Sequence, residues 1–233
     1  MSDFRTIKGL YIKHVSSDPS NIVKGDIWYN TTTQTLKVAP QIASWSAGGN
    51  MTTARANAAG GGTQTAAFGA GGYDPWYNVT EEYDGSSWTN GGNLGTARYN
   101  LSGSGTQTAG LVACGRQEAS TPRPAGGVVL TEEYDGSSWT ESGDTSTGHG
   151  FGWLAGTQTA SLIATGLNNP SPAALTVNCE SYNGSSWTEG PNVNSSRYSI
   201  LGFGTSTAMV IAGGEPGANL TVEEFDGSSW SEV

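Results

Sequence analysis

Apolar and alternating segments recur along the chain and predict short β-strands. Four continuous apolar runs begin at Ala66, Ala109, Ala160 and Ala208 and read AAFGAGG, AGLVACG, ASLIATG and AMVIAGG. Unbroken apolar runs of this length are typical of strands buried on both faces. Each run is followed, after a connection of variable length, by a segment such as TEEYD. Its polarity alternates, which predicts a strand with one buried face.

A tight turn and a fourth strand complete each repeat. The decapeptide TEEYDGSSWT stands at Thr80 and again at Thr131, and related segments, CESYNGSSWT and VEEFDGSSWS, begin at Cys179 and Val222. Glycine in DGSS or NGSS supplies the positive φ of a chain reversal. A run of small residues before each TQT or TST turn predicts one more strand. We therefore expect four antiparallel strands in each unit.

The spacing of the repeat separates packed strands from loops. The units are anchored on Trp45, Trp88, Trp139, Trp187 and Trp230, with intervals of 43, 51, 48 and 43 residues. From each of the first four tryptophans to the threonine that opens TQT or TST the distance is always 18 residues. From that threonine to the next tryptophan it is 25, 33, 30 and 25 residues. Fixed spacing indicates packed strands, and variable spacing indicates a loop.

The period and strand content predict an all-β propeller. One four-stranded sheet cannot bury both faces alone, so the units (blades) must stack around an axis. The aromatic pairs across the tight turn are expected to pack between blades. These pairs are Tyr83 with Trp88, Tyr134 with Trp139, Tyr182 with Trp187, and Phe225 with Trp230. The double glycine at Gly71 and Gly213, followed by Tyr and then Trp, resembles the kelch repeat over residues 45–233. The other two copies lack the double glycine, and known kelch propellers usually have more than four blades, so blade count and ring closure stay open.

The N-terminal 44 residues differ from the repeats. The segment Asp26–Asn30, a TTTQ turn and the segment Thr35–Val38 predict a β-hairpin. Two interpretations stay open, a partial fifth blade and a separate docking module. The form GDIWYNTTTQTLKV is similar to hairpins in tail-fibre and other virion proteins of tailed bacteriophages. The repeat from the Ala-Arg pair through GTQTAA to TEEYDGSSWT resembles repeats in structural proteins of phages of marine bacteria.

Composition narrows the class of function. Glycine makes up 35 of 233 residues, yet 35% of residues are hydrophobic and eight are tryptophan, which favours a folded chain over a disordered one. The formal net charge of -10 argues against nucleic-acid binding, because an acidic surface repels phosphates. No apolar run approaches the length of a membrane helix, and no secretory signal is evident at the N-terminus. We expect no membrane insertion.

The residue types that carry chemistry give no catalytic or metal site. Cys114 and Cys179 are expected to be free and buried, and His14 and His149 lack ligand spacing to them. The adjacent glutamates, such as Glu81 and Glu82, point to opposite faces of a strand, so they do not converge on one point. We interpret them as a solvated or inter-blade hydrogen-bonding face. The sequence therefore predicts no enzyme and no cofactor.

Two sets of residues are candidates for binding. Arg55, Arg98 and Arg197, with His149 in register, are expected to form a ring near one end of the propeller. The ring would be either a polar pocket for an anion or sugar, or a set of structural side chains that cap loop carbonyls or pair with a neighbouring blade's glutamate. The variable loops span residues 73–78, 116–127, 167–173 and 215–219, and aromatic and charged side chains in them suit sugar stacking or a protein contact. The loop residues chosen as ligand-binding candidates are Tyr73, Asp74, Trp76, Tyr77, Arg116 and Arg123.

These observations predict two domains and a structural role. Residues 1–44 would form a virion-attachment module, and residues 45–233 a kelch-like propeller of four blades. The resemblances imply a non-enzymatic phage virion protein on the particle surface, as a capsid decoration or a tail or fibre component. It would dock onto other virion proteins through residues 1–44, form homo-oligomers on the particle, and present its loops outward. The alternative is a tail adhesin that binds a host glycan or receptor.

Overall fold

A computed structural model describes residues 12–19, 26–38, 47–73, 75–117, 127–168, 174–217 and 220–233. Within these residues the regular secondary structure is entirely β, with no α-helix. The chain divides into two units, Met1–Ala47 and Gly48–Val233.

The described part of the N-terminal unit forms a three-stranded sheet. Its strands are β1 (Lys13–Val15), β2 (Ile27–Asn30) and β3 (Thr35–Val38). The predicted hairpin is correct, since β2 and β3 pair antiparallel across residues 31–34, and β1 adds a parallel partner that the sequence pattern did not indicate. Asp18 holds the sheet: hydrogen bonds from Lys37, Asn30 and the Trp28 indole lower the pKa of its carboxyl to about 2.

The described residues of the second unit form four antiparallel sheets of four strands each, one for each predicted repeat. They are named the first to fourth sheets in chain order. Their strands are β4 (Ala59–Thr63), β5 (Ala66–Ala70), β6 (Thr80–Tyr83) and β7 (Trp88–Asn90) in the first sheet; β8 (Ser102–Thr106), β9 (Ala109–Ala113), β10 (Thr131–Tyr134) and β11 (Trp139–Glu141) in the second; β12 (Trp153–Thr157), β13 (Ala160–Asn168), β14 (Ala174–Tyr182) and β15 (Trp187–Glu189) in the third; and β16 (Leu201–Thr205), β17 (Ala208–Ala212), β18 (Val222–Phe225) and β19 (Trp230–Glu232) in the fourth.

Each sheet runs in chain order from its first to its fourth strand, as the repeat predicts. The third sheet departs from the predicted loops. Its middle strands β13 and β14 continue for nine residues each, and Leu167 pairs with Leu175 and Asn168 with Ala174. The start of the predicted loop 167–173 is therefore wrong, because these residues extend a ladder rather than leave it.

The repeated DGSS segment is a turn held by its own first side chain. Asp135 Oδ1 accepts hydrogen bonds from the backbone N–H groups of Ser137 and Ser138, each at 2.8 Å. Gly136, between Asp135 and Ser137, has a φ of 91°, as predicted for the chain reversal. The same bonds form at Asp84 and Asp226, and at Asn183 in the third sheet. This recurrence explains why the sequence of the turn is nearly identical in all four repeats.

Consecutive sheets share hydrophobic cores. The first strands of neighbouring sheets lie side by side, β4 with β8, β8 with β12 and β12 with β16. Within the described residues there are three buried clusters, one at each of these junctions, around Phe68, Leu111 and Met209. Sheets that could not fold alone are therefore stabilised by their neighbours in the chain.

Candidate functional site

The arginines predicted either to line a polar pocket or to serve a structural role are buried structural residues. Arg98 is fully buried, and its guanidinium donates to the carbonyl oxygens of Cys114 and Leu130 at 2.9 and 2.8 Å. Its second nitrogen pairs with Glu132 Oε1 at 2.7 Å. The arginine thus joins the ends of β9 and β10 to the segment that leads into β8. The predicted carbonyl cap is confirmed, but the glutamate belongs to the arginine's own sheet and not to a neighbouring one.

The same arrangement recurs in the first and fourth sheets. Arg55 pairs with Glu81, and Arg197 with Glu223, in both cases at 2.6 Å between buried side chains. In the third sheet His149 replaces the arginine and contacts Glu180 at 3.2 Å and the Thr165 carbonyl at 2.8 Å. Because every one of these side chains is engaged and buried, the arrangement stabilises the sheets and offers no open anion pocket.

The paired glutamate also holds the segment that precedes the first strand of its own sheet. Glu81 accepts the backbone N–H groups of Thr52 and Thr53, at 2.6 and 3.1 Å. Burial on its own would raise the pKa of Glu81, but the hydrogen bonds from Thr52, Arg55 and Thr53 outweigh it and hold the pKa below its usual value. The expectation of a solvated face is therefore wrong for the first glutamate of each pair.

The second glutamate of the pair does make the predicted contact between sheets. Tyr134 donates its hydroxyl hydrogen to Glu82 in the preceding sheet at 2.5 Å, and Tyr182 donates to Glu133 at 2.6 Å. Burial, followed by the hydrogen bond to Glu82, raises the pKa of Tyr134 to about 12. A tyrosine that is partly buried and donates to a carboxylate is kept in its neutral form.

The tryptophans contact both their own sheet and the preceding one. Trp139 stacks on Tyr134 in its own sheet, with ring centroids 4.7 Å apart. It also meets Phe68 of the first sheet at 5.6 Å and donates its indole N–H to Thr80 at 2.8 Å. The predicted packing between blades is thus joined by a ring contact across the turn. The pairs at Trp88, Trp187 and Trp230 make the same contact with tilted rings, whose centroids are 5.1, 4.9 and 5.2 Å apart. Trp45 lies outside the described residues.

The loop candidates are only partly brought together. Tyr73 packs edge-on against Trp76 with ring centroids 5.9 Å apart, and Tyr77 lies 5.8 Å from the Arg55 guanidinium. Asp74 and Arg123, which the sequence also suggested, lie outside the described residues. The aromatic rings of this loop therefore contact one another and the sheet below.

A row of half-buried aromatic residues extends from this loop. Tyr73 contacts Tyr99 at 5.4 Å, and the Arg116 guanidinium lies 5.8 Å from the rings of both Tyr99 and Phe151. Phe151 contacts Tyr198 at 5.7 Å. The row thus joins one repeat to the next at the same end of each sheet. We call Trp76, Tyr73, Tyr99, Arg116, Phe151 and Tyr198 the aromatic row.

Sequence reasoning missed three members of this row. Tyr99 and Tyr198 each directly follow a buried arginine of the repeat, so their register could have identified them. Phe151 occupies the position of Asn57 and Asn100, and all three have a positive φ, 61°, 56° and 51°. Asparagine adopts this conformation readily, whereas a bulky aromatic residue does so rarely. The strained backbone at Phe151 places its ring in the row.

The remaining chemical groups of the described residues offer no second site. Cys114 and Cys179 are buried free thiols, as predicted, and burial raises the pKa of each to about 12. Within the described ranges, no group of three or more His, Cys, Asp or Glu side chains is placed to hold a metal ion. The same residues contain no helix long and apolar enough to cross a membrane.

Comparison of the chain with models of known protein families gives no match, and no curated protein matches it either. The assignment of function therefore depends on the sequence pattern and on the contacts described above.

Proposed function

We propose that the chain is a non-enzymatic structural protein on the surface of a tailed-phage virion, built as a kelch-like propeller. The observation that supports this proposal is that the repeated polar residues form structural contacts. The arginine, the two glutamates and the tyrosine of the repeat bind one another or the backbone inside and between sheets. A unit in which all of these repeated residues stabilise the packing of the sheets is a scaffold. The parts that vary between copies are its loops.

The virion role follows from the resemblance of the N-terminal hairpin and of the repeat to phage structural proteins. In this proposal residues 1–44 attach to another virion protein, and the repeats are displayed outward. Few charges, many tight turns and buried ion pairs suit a surface that must survive outside the cell. The position of the protein on the particle distinguishes the two roles, since a decoration protein lies on the capsid and a fibre component on the tail.

Electron microscopy of purified virions tests the proposal. Particles would be imaged with and without an antibody raised against residues 45–233. Label on the capsid lattice would support a decoration protein, and label on the tail or fibres would support a fibre component. Particles that carry no label, while the antibody binds the isolated chain, would refute a virion role.

The aromatic row favours a second candidate function, binding of a host-surface glycan. The apolar faces of sugar rings stack on aromatic side chains, and a guanidinium such as that of Arg116 can donate to sugar hydroxyls. Tyr73, Tyr99, Phe151 and Tyr198 are half-buried, so part of each ring reaches solvent. On this hypothesis the strained backbone at Phe151 is explained by contact between its ring and the ligand.

A binding assay with host cells or a glycan array separates the two candidates. Trp76→Ala and Phe151→Asn should each abolish binding on the glycan hypothesis, and asparagine suits the positive φ at position 151. Leu36→Ala, an exposed side chain of the N-terminal sheet, serves as the matched control. Binding that is unchanged in both row variants, or absent in the unmodified chain, would leave the structural role alone.

A further inference from the structure

The outer face of the fourth sheet exposes two large apolar side chains. Leu201 and Phe203 on β16 are 69% and 64% accessible. In the third sheet the residue in register with Leu201 is Trp153, which packs against the next sheet: a Cβ added at Gly202 would lie 2.6 Å from its ring. In the second sheet the equivalent Ser102 donates to the Gly152 carbonyl of the next sheet at 2.8 Å. Leu201 and Phe203 therefore lie on a face that elsewhere contacts a following sheet.

The opposite face of the first sheet has the complementary exposed groups. In the second and third sheets the glutamine of the TQT turn reaches back to the preceding sheet, and Gln158 Nε2 donates to the carbonyl oxygens of Gly110 and Tyr134 at 3.1 and 2.8 Å. Gln107 makes the equivalent bond to the Tyr83 carbonyl at 3.1 Å. Gln64, the glutamine of the first sheet, is exposed and has no hydrogen-bond partner among the described residues.

The tyrosine–glutamate contact between sheets shows the same imbalance at the two ends. The junction between the third and fourth sheets lacks this contact altogether. The fourth sheet has Phe225 in place of the tyrosine, and the third sheet has Ser181 in place of the second glutamate. Tyr83 in the first sheet and Glu224 in the fourth have no partner for this contact among the described residues, and Glu224 is exposed. The terminal faces carry a donor and an acceptor that match.

The shapes of the two faces also match. At an internal junction a side chain of β12 fills the space over a glycine of β16, Trp153 over Gly202. The glycine in register on β4 is Gly60, where an added Cβ would meet only the Phe68 carbonyl, at 3.3 Å. Within one chain, Leu201 therefore has no glycine of a following sheet to pack against. Gly60 likewise has no side chain of a preceding sheet packed over it.

We propose that the outer face of the fourth sheet binds the first sheet of a second copy of this chain, head to tail. Leu201 would cover Gly60 of the second copy, Gln64 would donate to the Met209 and Phe225 carbonyls, and Tyr83 would donate to Glu224. Within one chain these faces are left exposed, and the described residues contain buried clusters at three junctions only. Propellers close with four to eight sheets, so two copies of four sheets complete a ring of eight.

The one departure from the internal pattern lies at Val222. It stands where Thr80 and Thr131 accept an indole N–H, so Trp88 of the second copy would find no hydroxyl there. The junction between the third and fourth sheets already forms with Cys179 at this position, so a threonine is not required for stacking. This inference does not depend on a virion role.

Sedimentation and native mass spectrometry of the full chain test the proposal. We expect a dimer, and Phe203→Asp should weaken it by at least about 30-fold, as for the loss of a central apolar contact. Gly60→Phe should also prevent the dimer, because its side chain would occupy the space of Leu201. Leu220→Asp, which changes a side chain that is 92% accessible, is the control and should leave the dimer intact. A chain that stays monomeric at high concentration, or open-ended assemblies, would overturn the proposal.

A pair of introduced cysteines distinguishes a second copy from closure within one chain. Ala59 Cβ lies 3.0 Å from the Cβ position of Gly103 at the first junction, so the equivalent positions 201 and 60 would be adjacent at the proposed junction, where a small shift of the backbone allows a disulfide. Mixing Leu201→Cys protein with Gly60→Cys protein under mild oxidation should give a covalent heterodimer. A cross-link that forms only within the double variant, at the mass of one chain, would show ring closure in a single copy and refute the dimer.

Discussion

Replacing Arg98 by methionine should lower the free energy of unfolding by about 3–5 kcal/mol, the usual cost of removing one partner from a buried ion pair. The structure gives the reason for this magnitude. Arg98 is fully buried and makes three hydrogen bonds, two to the carbonyl oxygens of Cys114 and Leu130 and one to Glu132. Methionine keeps much of the apolar volume, but it leaves two carbonyls unsatisfied. It also leaves the carboxylate of Glu132, a residue that is only 5% accessible, without a cation.

Chemical denaturation of a short series of variants measures this cost. Arg98→Lys keeps the charge but loses the planar fork, so its loss should be smaller than that of methionine. Adding Glu132→Gln to Arg98→Met removes the unpaired charge and should restore about 1–2 kcal/mol. Glu141→Gln, an exposed change in the same sheet, is the control and should stay within about 0.5 kcal/mol of the unmodified chain.

Two results would refute the reasoning. A loss below about 1 kcal/mol for Arg98→Met is the scale of an exposed ion pair and would mean that the pair contributes little. A double variant less stable than Arg98→Met would mean that the glutamate does not need its cation. Either result would remove the buried pair as the contact that ties each sheet to the segment preceding it.

The other predictions concern pH, thiol reactivity and the glutamine contacts. The pKa of Glu81 is lowered from 4.5 in the folded chain, so its contribution to stability is present above that pH and is lost as the pH falls further. The pKa of Tyr134 is raised from 10.0 to about 12, so its contribution is present below pH 10 and is lost as the pH rises toward 12. Thermal unfolding followed by circular dichroism should show both declines, and a flat profile would contradict them. Cys114 should react with a thiol reagent only after unfolding, because its thiol is buried and its pKa is about 12; rapid labelling of the folded chain would contradict this. Gln158→Ala removes two hydrogen bonds between sheets and should cost about 1–3 kcal/mol in denaturation, and a loss within error would show that these bonds do not stabilise the junction.

The strands, the turns and the four-fold repeat could be predicted from the sequence because local rules determine them. Continuous apolar runs gave β5, β9, β13 and β17, and the glycine of DGSS gave the reversal. The nine-residue ladder in the third sheet could not be predicted in this way. It continues through Gly166 and Leu167, and a glycine followed by polar residues and proline reads locally as the start of a loop.

The candidate site was harder to predict because its members lie far apart along the chain. Whether Arg98 faces an open pocket or a carboxylate depends on a partner 34 residues away, and the burial that decides between them is a property of the assembled sheets. Phe151 was hidden for another reason. Its role depends on a positive φ that aromatic residues rarely adopt, so no propensity rule would place its ring beside Arg116.

The glutamate that accepts backbone N–H groups from the preceding segment determines where the chain can change in length. In the second to fourth copies that segment crosses from one sheet to the next. In every copy its N–H groups must reach the equivalent glutamate, so one inserted residue would displace them. The connection between the second and third strands has no such anchor in common. A foreign epitope grafted next to Leu220, which is 92% accessible between β17 and β18, should therefore be carried without disturbing the junctions, whereas a graft between Trp88 and Thr106 would separate two sheets. The connection between β17 and β18 thus offers a position at which the fourth sheet could carry a displayed peptide.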